Sequence, residues 1–153
     1  MAFDPPQILA GAALLPAPFS ARFKYTDADE RNYVVQTVKL AAKDRTRIHL
    51  LADDAVNSYG FVALTLAVSD NKPSLVIDYL FTSQQYRGVS FPELGGKISD
   101  YLIGFTIQVA SMLRQPVPLR FIALQAATQE LESFYHKRAF MKLDATHWMF
   151  LRF

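Results

Sequence analysis

The chain has 153 residues, the length of one ordinary domain. Apolar residues make up 51% and charged residues 20%, the balance of a soluble globular fold, and a net charge of +2 is too small to mark a nucleic-acid binder by itself. There is no cysteine, which excludes disulfides, thiolate metal sites and a cysteine nucleophile.

Pro5, Pro6, Pro16 and Pro18 fall within residues 1–18, which read as an irregular lead-in to a single domain covering 1–153. The apolar run Ile8 to Leu15 follows Asp4 and has no Lys or Arg ahead of it, so it makes a poor signal peptide. No run approaches the ~18 apolar residues that span a membrane, and the cytoplasm is the expected setting. Phe19 to Tyr25 carries apolar residues at every second position and is predicted as a first strand. Asp27 with Glu30 three positions later has the form of a capping box, so a helix is expected from there to about Lys43. Lys39 to Arg47 is the densest basic stretch: either a solvated helix end, or a landing surface for an anionic substrate.

Ile48 to Ala52 and Tyr59 to Val68 are predicted strands that can pair as a hairpin, with Asn57-Ser58 and Asp70-Asn71 as turns. Leu75 to Thr82 is a further strand, too apolar for an edge. From Leu94 apolar residues recur at helical spacing through Leu113. Ser90, Pro92 and Glu93 stand ahead as cap, first-turn proline and capping-box acid, which predicts a helix from near Phe91 to about Arg114. Leu119 to Leu124 reads as a strand, and Thr128 as the cap of a helix bearing Leu131, Phe134 and Tyr135 on one face. Phe140 to Leu143 and His147 to Phe153 form a terminal pair around Asp144-Ala145. The order β-α-β-β-β-α-β-α-β-β predicts an α/β fold with a mixed central sheet flanked by helices.

A strand followed by Gln84 to Ser90 and then a helix has a physical use. A helix start carries unpaired N–H groups and partial positive charge, and a tight loop entering it can aim amides at a phosphate. Gly88 permits the backbone conformations such a loop needs, and Arg87 adds a charged donor. Alone the turn is unspecific, since neither a dinucleotide fingerprint nor a Walker loop is present. His49, His136 and His147 lack metal-ligand spacing, so no metal is expected.

Leu80 to Gly88 resembles the strand-to-loop segment of the GNAT acetyltransferase superfamily, whose Gln/Arg-x-x-Gly-x-Gly/Ala pattern falls on Gln85, Gly88 and Ser90. About forty residues on, Phe134 to Phe140 is similar to the family's "FYEKLGF" segment. Ser90, Pro92 and Ala139 depart from the family pattern, and Glu93 puts a negative charge beside the expected diphosphate. The resemblance implies a mixed GNAT-like sheet and acetyl-CoA as co-substrate. Its arm would lie along Leu80, Phe81 and Thr82, with Val89 lining it, and its diphosphate on the amides from Gln85 through Tyr86, Arg87, Gly88, Val89 and Ser90 to Phe91; Thr128 joins this binding set at the cap of the last helix. Tyr135 matches the tyrosine that protonates the leaving sulfur, although a core tyrosine would read the same. The family's strand glutamate falls on Val76, which leaves Asp78 as a candidate base, or an ordinary carboxylate paired to a cation.

The acceptor is then a primary amine on a small molecule or peptide. Alternatively the chain acts on aminoacyl-tRNA, since Tyr33 to Ala52 and Met149 to Leu151 are loosely similar to toxin-like members of the superfamily, or it is a non-catalytic acyl-CoA-binding module. A homodimer is compatible with each.

Overall fold

A computed structural model of the chain describes residues 3, 5–9, 14–43, 45–53, 57–69, 72–142 and 146–152. The elements in chain order are β1 (Gln7–Ile8), α1 (Pro16–Ser20), α2 (Ala28–Ala42), β2 (Thr46–Ala52), β3 (Ser58–Ser69), β4 (Lys72–Thr82), β5 (Ser90–Phe91), β6 (Gly96–Lys97), α3 (Ile98–Leu113), β7 (Phe121–Gln125), α4 (Gln129–His136), β8 (Met141–Lys142) and β9 (Trp148–Arg152). Seven strands form one sheet in the order β1-β2-β3-β4-β7-β9-β8, and β5 and β6 form a separate small hairpin. Every pairing in the large sheet is antiparallel except β4 with β7.

Side chains alternate across the strands, so the sheet buries two faces. On one face Ile48, Phe61 and Phe81 pack with Phe19 and Phe23 and with Val34 and Val38 of α2. On the other, Leu64, Ile77, Ile122 and Met149 pack with Ile98 and Leu102 of α3 and Tyr135 of α4. β2 and β3 are buried nearly throughout because successive side chains enter opposite layers: Ile48 and Leu50 face one layer and Leu51 the other.

α2 begins as expected. The Asp27 carboxylate accepts from Glu30 N at 2.9 Å, while Glu30 Oε1 accepts from Thr26 N at 3.0 Å, one residue earlier than an ideal capping box. The β2–β3 hairpin and the α4 start also match expectation, with Thr128 Oγ1 accepting from Leu131 N at 3.2 Å. The expected turns at Asp70-Asn71 and Asp144-Ala145 include residues outside the described ones.

Two expectations are corrected. Phe19 to Tyr25 is not a strand; the chain forms α1 and then a turn. Pro16 and Pro18 suit a helical first turn, and Phe19 and Phe23 are four apart, so both enter the core from a coiled segment, with rings 5.4 Å apart. The sheet edge is taken instead by Gln7–Ile8 from the proline-rich lead-in, which pairs with His49 and Leu50. Second, α3 starts at Ile98, not near Phe91. Gly95 and Gly96 have φ of +74° and +155°, which a helix cannot accommodate, and they turn Ser90–Phe91 back onto Gly96–Lys97 as a hairpin.

Candidate active site

The sheet opens between its two parallel strands. β4 pairs with β7 from Ser74↔Phe121 to Ile77↔Leu124 and no further, although β4 runs on to Thr82 against β3. The departure coincides with a bulge: the β3 register passes from Leu64↔Ile77 to Ala63↔Tyr79, leaving Asp78 without a partner. One extra residue reverses which way the following side chains point. Leu75 and Ile77 face α3 and α4; beyond Asp78 it is Leu80 that faces them, while Tyr79 and Phe81 turn to the α2 layer. The edge of β4 from Tyr79 to Thr82 therefore has no β7 neighbour among the described residues.

A cleft of about 340 Å³ fills this opening. Its walls are the free end of β4, the loop residues Tyr86 to Gly88, the start of α3 at Lys97, Ile98 and Ser99, and Leu131, Phe134 and Tyr135 of α4; Glu30 and Tyr79 line it from the α2 side. Sequence reasoning placed Leu80, Phe81, Thr82, Tyr86, Arg87, Gly88 and Tyr135 here, and the structure brings them together. It missed Lys97, Ile98 and Ser99, because the helix start was placed seven residues too early.

Three of the amides expected to cradle a diphosphate between Gln85 and Phe91 are engaged by the chain itself. Tyr86 N donates to Ser83 O at 2.9 Å, Arg87 N to Gln84 O at 3.4 Å and Val89 N to Tyr86 O at 3.3 Å, so successive turns use these groups internally. Gln85 Oε1 accepts from Ser83 Oγ at 2.5 Å, and Ser90 is in the small hairpin rather than capping a helix. Gln85, Val89, Ser90 and Thr128 do not line the cleft. Gly88 has φ +74°, as its turn requires. Further donors stand at α3, a helix of 16 residues whose N-cap, Lys97, gives no side-chain cap. Its first residues, Ile98 and Ser99, line the same cleft end as Lys97, and a helix start with an adjacent ammonium favours an anion. Glu93 is outside the cleft lining, on the turn of the hairpin.

Arg87 is committed to the protein rather than extended into the cleft. It donates to Thr82 O at 2.9 Å, Thr26 Oγ1 at 2.9 Å and Glu30 Oε1 at 2.7 Å, and its guanidinium lies 5.5 Å from the Phe81 ring centroid. It thus ties the free end of β4 to α2. Asp78 does not reach the cleft: Thr65 Oγ1 and Thr46 Oγ1 donate to its Oδ2, and burial pushes its carboxyl above the usual range. The alternation that would have kept Asp78 on the face of Val76 is broken by the bulge at Asp78 itself.

Tyr135 is 6% exposed and wedged between Phe134 and Phe140, with ring centroids 5.0 and 5.5 Å away. Burial pushes its hydroxyl up to about 12, partly offset by Arg138, so the phenol keeps its proton at neutral pH. No hydrogen bond to that hydroxyl forms among the described residues, and none of their buried side-chain oxygens lacks a partner, so the hydroxyl borders open space at the cleft. No cluster of three or more His, Asp or Glu side chains suited to a metal ion occurs among the described residues. No described helix is long and apolar enough to cross a membrane.

No family model and no curated protein matches the chain. Solved structures do. AtaTR bound with AcCoA is 15% identical at a TM-score of 0.77, covering 99% of this chain and 92% of that one. AtaT complexed with acetyl-methionyl-tRNAfMet is 14% identical at 0.77, covering 99% and 95%. A KacTA–DNA complex is 15% identical at 0.77, covering 99% and 93%. The shared architecture spans nearly the whole of each chain, so this chain has the fold of those proteins, GNAT-like in its mixed sheet splayed between its parallel strands, with helices on both faces.

Proposed function

We propose that the chain is an acetyl-CoA-dependent N-acetyltransferase whose acceptor is the amino group of an aminoacyl-tRNA. The observation that carries the reading is the single cleft in which the unpaired end of β4, the uncapped start of α3 and the Tyr135 hydroxyl meet. The tRNA acceptor is supported by the likeness to AtaT, solved with acetyl-methionyl-tRNAfMet.

The residues present fit acetyl-CoA. The first-turn amides of α3 and the Lys97 ammonium suit its diphosphate. The free backbone edge of Leu80 to Thr82 suits the amides of its arm, and Leu80, Leu131 and Phe134 supply apolar walls. The co-substrate brings an activated thioester; the protein has to orient it, exclude water and handle protons. The acceptor nitrogen bonds to the acetyl carbon as the carbon–sulfur bond breaks, and the nitrogen loses one proton while the sulfur gains one. A phenol near 12 does not surrender its proton outright to a thiolate, whose conjugate acid has a pKa of about 8.5. Tyr135 instead donates a hydrogen bond to the developing thiolate and passes its proton on as the proton from nitrogen, carried by water, replaces it. No carboxylate is needed as base, in keeping with Asp78 held away by Thr46 and Thr65.

Calorimetric titration with acetyl-CoA, followed by transfer assays on charged tRNAs and on small amines, tests this. Binding with acetylated aminoacyl-tRNA as product is expected, and Lys97→Ala should weaken binding by about tenfold, the scale of one charge-assisted contact. Absence of acetyl-CoA binding would sink the reading. Tight binding with no turnover on any acceptor would favour the non-catalytic module.

A further inference from the structure

The outward face of α2 is not used by the cleft chemistry above. Val34, Thr37, Val38 and Ala41 are its buried side. Tyr33, Gln36, Leu40 and Lys43 follow one another at steps of three and four, so they form one exposed stripe, with Lys39 flanking it. Tyr33 is 64% exposed, and its ring is braced by Tyr79, 5.9 Å away; Tyr79 lines the cleft, and so does Glu30 one turn before Tyr33. At the other end, Gln36, Lys39, Leu40 and Lys43 line a second cavity of about 490 Å³ with Leu14 and Pro16. Neither lysine forms an ion pair or hydrogen bond among the described residues. From Tyr33 to Lys43 the helix rises about 15 Å at ~1.5 Å per residue. An aromatic platform at the cleft mouth, followed by two cations without acidic partners among the described residues, is the combination that holds a single nucleic-acid strand: a ring for a base and ammonium groups for phosphates. An amphipathic peptide would need a continuous apolar floor, and Leu40 is the one large apolar residue this stripe exposes besides Tyr33.

We propose that this stripe guides the single-stranded 3′ end of the RNA acceptor into the cleft, with a base stacked on Tyr33 and the phosphates on Lys39 and Lys43. The inference rests on the aminoacyl-tRNA reading and adds the surface that recognises the RNA.

Fluorescence anisotropy with deacylated tRNA and with a labelled oligonucleotide of its 3′ strand tests it, alongside acetyl-CoA calorimetry and transfer to a small amine. Tyr33→Ala should weaken RNA binding by about 5- to 100-fold, while Tyr33→Phe, which keeps the ring, should stay within about twofold. The Lys39→Gln/Lys43→Gln double variant should lower the slope of log affinity against log salt by about 1.4, at ~0.7 per lost contact on a single strand. Acetyl-CoA binding and small-amine transfer should be unchanged in all of them. Wild-type RNA affinity and salt slope in these variants, with charged tRNA still acetylated, would overturn the stripe alone. Acetylation of small amines with no action on charged tRNA would overturn the acceptor reading and this inference with it. Tighter binding of an acidic Glu/Leu helical peptide than of RNA, lost in the lysine variants, would overturn the stripe in favour of a protein partner.

Discussion

Arg138 Nε donates to Asp100 Oδ1 at 2.6 Å, and this pair joins the segment just after α4, the helix that carries Tyr135, to the first turn of α3, whose start lines the cleft. The same guanidinium donates through Nη1 to Phe134 O at 2.7 Å and lies 3.6 Å from the Phe134 ring centroid. Two walls of the cleft are thereby held in register. With Asp100 48% exposed in its side chain, water screens the ion pair, which is worth about 0.5–1 kcal/mol, and the cation–π contact adds a similar ~0.5–1 kcal/mol. Arg138→Ala is expected to lower stability by about 1–2 kcal/mol in urea unfolding. A double-mutant cycle with Asp100→Asn should recover only the ion-pair part; zero coupling between them would show that the pair is ornamental.

Tyr135→Phe removes the hydroxyl and leaves the ring between Phe134 and Phe140. Turnover should fall by about 10²- to 10⁴-fold, the range of a lost proton donor, with acetyl-CoA affinity within about twofold of wild type. With the hydroxyl near 12, this group produces no break in the pH–rate profile at neutral pH. Unchanged turnover would reduce Tyr135 to a core tyrosine.

Ala139 holds φ +71°, the left-handed conformation in which a Cβ is unfavourable. Ala139 N donates to His136 O and Phe140 N to Tyr135 O, both at 3.1 Å, which closes the end of α4 in the Schellman pattern. Ala139→Gly keeps both bonds and removes the Cβ, so stability should rise by about 1 kcal/mol, read from the urea midpoint. Ala139→Val should move it the other way.

Gly60 lies opposite Thr82, where β3 meets the free end of β4. A Cβ there would sit 2.3 Å from Phe81 O, a backbone atom that cannot swing aside. Gly60→Ala should cost about 1–3 kcal/mol as overpacking does, and should impair acetyl-CoA binding because the displaced strand is a wall of the cleft. Thermal melts and calorimetry report the two effects separately.

Burial pushes the hydroxyls of both Tyr25 and Tyr135 up to about 12 from 10.0. A raised value means the folded state holds a proton that the unfolded chain gives up, so this stability is fully present below about pH 10 and is lost as pH rises to about 12. Urea midpoints should be level from pH 8 to about 9.5 and fall steeply above about 10. Burial raises Tyr59 and Tyr79 in the same direction, so in Tyr135→Phe the alkaline fall should be shallower but not abolished, since one of these groups is gone.

Residue patterning alone determined the long elements. Asp27 with Glu30, the apolar and β-branched runs of β2 and β3, the helical spacing from Ile98 onward and the Thr128 cap are local signals, and local hydrogen bonds and burial enforce them. It also picked out Tyr135 and the end of β4, because both belong to contiguous motifs with their own geometry. Three matters were settled only by contacts between distant segments. Whether Phe19 and Phe23 sit on a strand, or on α1 and the turn after it, depended on which segment took the edge beside β2, and Gln7–Ile8 took it. The start of α3 depended on Ser90–Phe91 finding Gly96–Lys97 as a partner, which put Lys97, Ile98 and Ser99 rather than Ser90 at the helix start that lines the cleft. The bulge at Asp78 arose from the register of β4 against β3, and no run of residues announces it. Period and capping act within a few residues of a position, whereas register and strand partnership are chosen by the whole sheet, and the cleft is a product of that second choice.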